Sequence, residues 1–287
     1  MKFAFIAVEK ANFPVAILCR VLEVSRAGFY AWLHRLPSAR AREDERLREL
    51  IRAAFAKGRG YYGSPRIHRA LRPVRISRKR VIRLMQEEGL AARVRRRFRC
   101  TTDSSHGLSV ARNILAREFK ADAPNQRWVG DTTELVTPSG RLFLAAIVDL
   151  YSRFVVGWAL SAVNDRHLTL KALDMAIRRR CPKKGLLHHS DRGSTYASED
   201  YQKVLESHGI DCSMSRRGNC YDNAAMESWN STLKAELGEH FDSPGDAKEN
   251  LFDYIEVFYN QKRLHSTIDY GSPAEFERSH RQSAIAA

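Results

Sequence analysis

From Pro14 to Gly89 the apolar residues recur three and four positions apart, the spacing of helices buried along one face. Pro14 to Leu22 brings Val15, Ile17, Leu18, Val21 and Leu22 together, and after the turn Glu23-Val24, Ser25 is placed to cap a second helix, Arg26 to His34. That outline, helix, tight turn and capped helix, is a helix-turn-helix-like segment. A longer helix is predicted over Arg42 to Lys57, with Leu47, Leu50, Ile51, Ala54 and Phe55 inward. Gly58 to Gly63 interrupts it. Ser64-Pro65 supplies a cap and a first-turn proline for Arg66 to Leu71, and Ser77 caps Arg78 to Glu88, with Gly89 past its end.

From Gln126 the pattern changes to β-branched and aromatic runs. Arg127 to Thr137, Arg141 to Leu150 and Arg153 to Leu160 read as three consecutive strands joined by short turns. His167 to Arg180 is an amphipathic helix, Gly185 to His188 a short buried strand, Glu199 to His208 a helix and Ile210 to Met214 another strand. Asp222 to Leu237 and Asp246 to Asn260 close the pattern as helices. Strands in series followed by alternating helices and strands predict an α/β domain with a mixed sheet, preceded by an all-α region.

Charge divides the 287 residues at the same seam. Lys and Arg total 48 against 33 Asp and Glu, a net +15, of which residues 1–120 hold +18 and residues 121–287 hold −3. A strongly basic helical module argues for a polyanionic partner, most simply double-stranded DNA. The expected domains are a helix-turn-helix-like segment at 1–40, a basic helix-turn-helix domain at 41–100, a linker at 101–125 and a catalytic core with a helical extension at 126–287. The longest apolar stretches, such as Leu142 to Val148, fall far short of the roughly 20 residues of a spanning helix, so no membrane is expected. Five scattered cysteines with no Cys-x-x-Cys pair support neither a disulfide framework nor a zinc module, and the expected compartment is the cytoplasm, on the nucleoid.

Three acids stand out within the second module. Asp131 lies inside the first strand, where a carboxylate is costly unless liganded. Asp191 follows the short buried strand in His188-His189-Ser190-Asp191-Arg192-Gly193, at the edge where sheet-based sites gather. Glu227 lies one turn inside a helix, with 35 residues between it and Asp191, and shares a face with Asn223, Asn230 and Lys234. Three carboxylates make a hard-oxygen site suited to two Mg²⁺ or Mn²⁺ ions, which serve in-line displacement at a phosphodiester. Asp149 and Asp222 are rival acids, Asp149 near the sheet edge beside Asp131 and Asp222 as cap of the Glu227 helix. His188 and His189 are candidate ligands or buried structural residues. Lys234, Asn223 and Asn230 are expected to position DNA, with Arg78, Lys79, Arg80, Arg95, Arg96 and Arg97 as phosphate contacts. Arg153, Arg216 and Arg217 are either further DNA contacts or solvated.

Several motifs then carry a resemblance. Trp128-Val129-Gly130-Asp131-Thr132-Thr133, the His-Ser-Asp-Arg-Gly stretch at Asp191, Ser213 to Ala224 leading to Glu227-Ser228, Leu233-Lys234, and Tyr259 to His265 resemble the insertion-sequence-three family of bacterial transposases. Their Asp, Asp, 35 residues, Glu spacing is that of the retroviral-integrase-like superfamily. The resemblance implies a ribonuclease-H-like core with Asp131, Asp191 and Glu227 as metal ligands, and a helix-turn-helix domain at residues 42–98. It implies a DNA transposase performing 3′-end cleavage and strand transfer, assembled as a homo-oligomer on DNA. An upstream-frame helix-turn-helix and leucine-zipper protein is the implied partner or fusion, since no sustained heptad precedes the core here. The alternatives are a nuclease of the same core that cleaves without joining, and a DNA-binding regulator on an inactive core.

Overall fold

The computed structural model describes residues 1–93 and 110–286. Its first unit is a three-helix cluster: α1 (Lys2–Glu9), α2 (Val15–Val21) and α3 (Arg26–Leu33) close over Ile6, Leu18, Cys19 and Phe29. Ser25 caps α3 as expected, accepting the Gly28 N–H at 3.0 Å. The apolar run Phe3 to Val8, which carried no element in the sequence pattern, forms α1.

The basic unit follows as α4 (Ala39–Lys57), α5 (Ser64–Ala70) and α6 (Arg78–Glu87) around Leu47, Ile51, Tyr62, Ile67, Val81 and Leu84. α4 starts three residues before its predicted first residue because Ser38 accepts the Ala41 N–H at 3.1 Å and fixes the first turn there. Ser64 is the first residue of α5 rather than its cap, and Gly63 holds the cap position. This unit leans on the C-terminal part of the chain. The Leu264 N–H donates to the Tyr62 hydroxyl at 2.8 Å, the Arg69 guanidinium to the Asp269 carbonyl at 2.9 Å, and Arg59 lies 4.6 Å over the Phe258 ring.

The third unit is a five-stranded sheet of β1 (Arg127–Thr137), β2 (Gly140–Asp149), β3 (Val155–Ser161), β4 (Leu187–Ser190) and β5 (Asp211–Met214), in the order β3-β2-β1-β4-β5. The first three pair antiparallel and β4 and β5 join in parallel, the mixed sheet expected. β4 runs two residues later than predicted. Gly185 takes φ +89°, a turn rather than a strand conformation, and pairing begins when the Leu187 N–H reaches the Gln126 carbonyl at 2.9 Å.

Alternation splits the sheet into two faces. One carries Trp128, Ala145, Ile147 and Val156 against α7 (Arg166–Arg180) and α8 (Glu199–Ser207). Gly157 is needed there, because a Cβ would stand 2.2 Å from the Ala172 carbonyl of α7. The other carries Val129, Leu135, Leu144 and Val148 against α9 (Ala224–Glu236) and α10 (Pro244–Phe252). The predicted last helix is α10 continued as a π-helical stretch, Asp253–Tyr259, which turns Tyr254, Ile255, Phe258 and Tyr259 inward. A final helix absent from the sequence pattern, α11 (Pro273–Ala286), is pinned by Glu277 to Arg180 of α7 at 2.7 Å. The described half of the expected linker belongs to this unit, since Leu115 is buried in its core and Val110 and Ala111 pack on the opposite face.

Candidate active site

Strand register explains how two distant aspartates meet. β1 and β4 are parallel and their last paired positions are Gly130 and Ser190, so Asp131, still inside β1, and Asp191, the first residue past β4, follow those positions side by side. The parity of β1 assigns their face. Val129, Asp131 and Leu135 point toward α9, while Trp128, Gly130 and Thr132 point toward α8. Gly130 is required at this crossing, where a Cβ would lie 2.9 Å from the His188 ring.

α9 delivers the third acid. Glu227 sits in its first turn, where the helix dipole favours a negative charge. One turn on, the Asn230 Nδ2 donates to Asp131 Oδ2 at 2.7 Å. The Gly193 N–H donates to Asp191 Oδ1 at 2.9 Å, which turns the loop after β4 back on its own carboxylate. The Asp131 carboxyl is pushed well above the usual range, first by burial, then by the charge of Asp191 and, less, by that of Glu227. Burial also raises Glu227. The protein thus crowds carboxyl groups in a buried place, where ionising all of them is costly.

Among the described residues no three His, Cys, Asp or Glu side chains converge as a pre-formed metal cluster, so the acids are neighbours rather than a closed cage. The donor set still fits a hard divalent cation. It is made of carboxylate oxygens that repel one another, and the side-chain oxygens of Asn223 and Asn230 are buried with no hydrogen-bond partner in the protein.

The other candidates divide. Asn223 and Asn230 are 5% and 4% exposed, too enclosed to reach a DNA backbone, and they hold β1 instead, Asn223 through a long 3.4 Å contact to the Gly130 carbonyl. Lys234 lies two turns beyond Glu227, 3.5 Å from Glu239. Asp149 is not beside Asp131. It is buried at the end of β2, accepting the Asn125 and Tyr151 N–H groups at 2.7 and 2.9 Å and facing Arg180 at 3.2 Å. Asp222 does not cap α9; Asn223 occupies that position without a side-chain bond, and Asp222 binds Arg216 and Arg117. His188 meets the Tyr201 hydroxyl at 2.7 Å and His189 the Ser213 hydroxyl at 2.8 Å, and burial lowers their pKa to about 3 and about 4, so both are neutral structural residues. Arg153 is largely enclosed, and Arg217 is exposed. On α6, Arg78 and Lys79 are exposed, whereas Arg80, expected as a DNA contact like them, is paired with Asp44 at 2.7 Å and Glu43 at 2.8 Å. Arg95, Arg96 and Arg97 lie outside the described residues.

The Integrase core domain family matches residues 121–220 and a second family of that description residues 208–273, with an HTH-like domain at 42–98. The chain is 44% identical over 271 residues to the Insertion element IS600 uncharacterized 31 kDa protein of Shigella sonnei, covering 93% of this chain and 100% of that protein. It is 40% identical over 285 residues to Transposase InsF for insertion sequence IS3A of Escherichia coli strain K12, covering 96% and 98%. The chain belongs to the insertion-sequence-three family of transposases. Among solved structures, the HTLV-2 integrase catalytic core domain in complex with magnesium aligns at a TM-score of 0.43 and 18% identity, over 54% of this chain and 98% of that one. This transposase is a DDE-type polynucleotidyl transferase with an integrase-like core and a DNA-binding helix-turn-helix-like region. No helix among the described residues is long and apolar enough to cross a membrane.

Proposed function

We propose that Asp131, Asp191 and Glu227 form the catalytic centre and hold two Mg²⁺ or Mn²⁺ ions during 3′-end cleavage and strand transfer. The carrying observation is the register pairing of Gly130 with Ser190, which sets Asp131 beside Asp191 across from α9, with burial and then the charges of Asp191 and Glu227 raising the Asp131 carboxyl. When bound, two such ions supply Lewis-acid stabilisation to the entering and leaving oxygens of a phosphodiester. In cleavage a water oxygen bonds to phosphorus, the bond to the 3′-oxygen breaks, and that oxygen takes a proton to become a free hydroxyl. In strand transfer the 3′-hydroxyl oxygen bonds to a target phosphorus, loses its proton, and a target 3′-oxygen leaves. No bond to the protein forms.

The chain's residues have separable tasks. Asp131 presents its oxygens from within β1 and Asp191 from the end of the adjacent β4, Asn230 fixes the Asp131 rotamer, and Gly193 fixes that of Asp191. Lys234, on the Glu227 face of α9, offers a point charge to the DNA backbone. Arg78 and Lys79 of the basic domain meet phosphates. The domain reading is a helical unit at 1–40, the basic domain at 41–100 and a catalytic core at 126–287 on which residues 110–125 pack. A homo-oligomer on DNA, with an upstream-frame partner, completes the reading. It is supported by the apolar surface of the first unit, where Phe5, Val8, Phe13, Val21 and Leu36 are all more than half exposed.

The test uses the full chain and a labelled duplex of the DNA adjoining its reading frame, with a pre-cut 3′-hydroxyl. Asp131→Asn and Glu227→Gln should each lower Mg²⁺-dependent joining by about a thousand-fold or more while DNA binding stays within about three-fold. Joining at the wild-type rate in either variant would remove that residue from the site, and cleavage without joining by the wild type would favour a nuclease.

A further inference from the structure

Asp222 is fully buried and yet surrounded by donors. It accepts the Arg216 N–H at 3.0 Å, the Arg216 Nε and Nη2 at 2.9 and 2.8 Å, the Arg117 Nε at 2.9 Å and the Asn113 Nδ2 at 2.9 Å. The Arg216 guanidinium foremost keeps its carboxyl far below the usual range, so the group stays charged. Its partners come from two places. Arg216 lies in the loop between β5 and α9, while Asn113 and Arg117 lie in the stretch by which the chain enters the core after the basic domain.

That entering stretch is shaped to make the contact. Ala116 and Arg117 both take left-handed backbone angles, φ +47° and +66°, although neither is glycine. Such a pair persists only where its surroundings over-determine it. Asn113 Oδ1 accepts the Ala116 N–H at 2.9 Å, and the Ile114 and Leu115 N–H groups donate to the Ser213 hydroxyl at 2.9 and 3.1 Å. Arg117 also donates to Asn219 Oδ1 at 2.9 Å and lies 5.7 Å over the Tyr221 ring. The loop is thereby gripped at Arg216, Asn219, Tyr221 and Asp222. One residue later Asn223 touches β1 at Gly130, and five residues after Asp222 stands Glu227.

We infer that Asp222 and Arg117 are positioning residues for the transposition reaction, a latch by which the segment arriving from the DNA-binding domain sets the loop before α9 and so the place of Glu227. The inference rests on Glu227 being a catalytic carboxylate. Asp222 and Arg117 touch no reacting atom; they act through the start of α9. Arg117 is 44% exposed, so its truncation leaves the hydrophobic core intact, whereas Asp222→Asn would remove the buried carboxylate on which two guanidinium groups converge and risks the fold.

The decisive variants are therefore Arg117→Ala and Arg117→Lys in the full chain, beside Glu227→Gln, on the same pre-cut duplex with Mg²⁺. Arg117→Ala should lower joining at saturating DNA by about ten- to a hundred-fold, the cost of a misplaced reacting group. Duplex affinity should stay within about two-fold and the thermal midpoint within about 3 °C. Arg117→Lys should recover little, because one ammonium does not reproduce the fork that serves Asp222 and Asn219 together. A wild-type rate for Arg117→Ala, a loss confined to DNA affinity, or a collapse of the thermal midpoint would each overturn the latch. If Glu227→Gln itself joins DNA normally, the catalytic assignment fails instead, and the two failures are thus told apart.

Discussion

The two ends of α9 treat buried carboxylates in opposite ways. At its C-terminal end Glu236 receives the Arg263 guanidinium at 2.6 and 2.8 Å and the Tyr254 hydroxyl at 2.8 Å, with both charged side chains 5% exposed. At its N-terminal end Asp131 receives an amide from Asn230, and the charges of Asp191 and Glu227 push its own ionisation uphill. The first arrangement is self-sufficient and ties α9 to the segment after the π-helical stretch. The second leaves carboxyl groups crowding one another, the arrangement that the proposed metal ions would complete, and that difference, rather than burial, separates scaffold from candidate site.

The largest effect is expected at the self-sufficient end. Arg263→Met strands Glu236 without its partner and should cost about 3–5 kcal/mol, read as a drop in the midpoint of thermal or denaturant unfolding. Replacing both members, Arg263→Met with Glu236→Leu, should restore most of it. A single variant as stable as the wild type would mean that the pair holds nothing together.

At the other end the sign reverses. In EDTA, Asp131→Asn should stabilise the protein by roughly 1 kcal/mol, because one of three crowded charges is gone. Adding Mg²⁺ should raise the unfolding midpoint of the wild type and leave that of the variant nearly unmoved. A variant less stable than the wild type without metal would show that Asp131 is a structural acid like Glu236.

A smaller effect follows from pH. The folded Asp131 carboxyl has its pKa above the unfolded value, so it contributes stability at low pH that is lost as pH rises through the folded pKa. The advantage of Asp131→Asn in EDTA should therefore grow as pH rises above the ordinary carboxylate range and vanish below that range, where the wild-type group is protonated in both states. An advantage independent of pH would point to packing instead of charge.

The three acids were legible because local pattern placed each of them: Asp131 within an alternating strand, Asp191 after a short apolar one, Glu227 at helical spacing from Asn230. The face of α9 was legible too, but not what it faces. Asn230 was expected to touch DNA and holds Asp131, because periodicity gives a direction and no partner. The shift of β4 from 185–188 to Leu187–Ser190 has the same origin, since a parallel strand is bounded by its neighbour's register and not by its own residues. Arg117 left no signal at all. Its bond to Asp222 spans 105 residues, and nothing near Arg117 in the chain distinguishes it from the other arginines of a basic stretch.

The same limit shapes the smallest expected effect, in the basic domain. Arg78, Lys79 and Arg80 are consecutive and equal in charge, and the sequence treats them alike. The fold does not. Arg80 is already paired to Asp44 and Glu43 across the α4–α6 contact, whereas Arg78 stands exposed at the start of α6. An arginine that neutralises a phosphate releases its counterion, so Arg78→Gln should flatten the slope of log affinity against log salt by about 0.9, the share of one phosphate. Arg80→Gln should leave that slope unchanged and instead loosen α4 against α6, seen as a lower unfolding midpoint. Equal slope changes for both variants would mean that DNA draws Arg80 away from Asp44. The basic charge would then be a shared reservoir, and the exposed residues alone would not define the DNA-binding face.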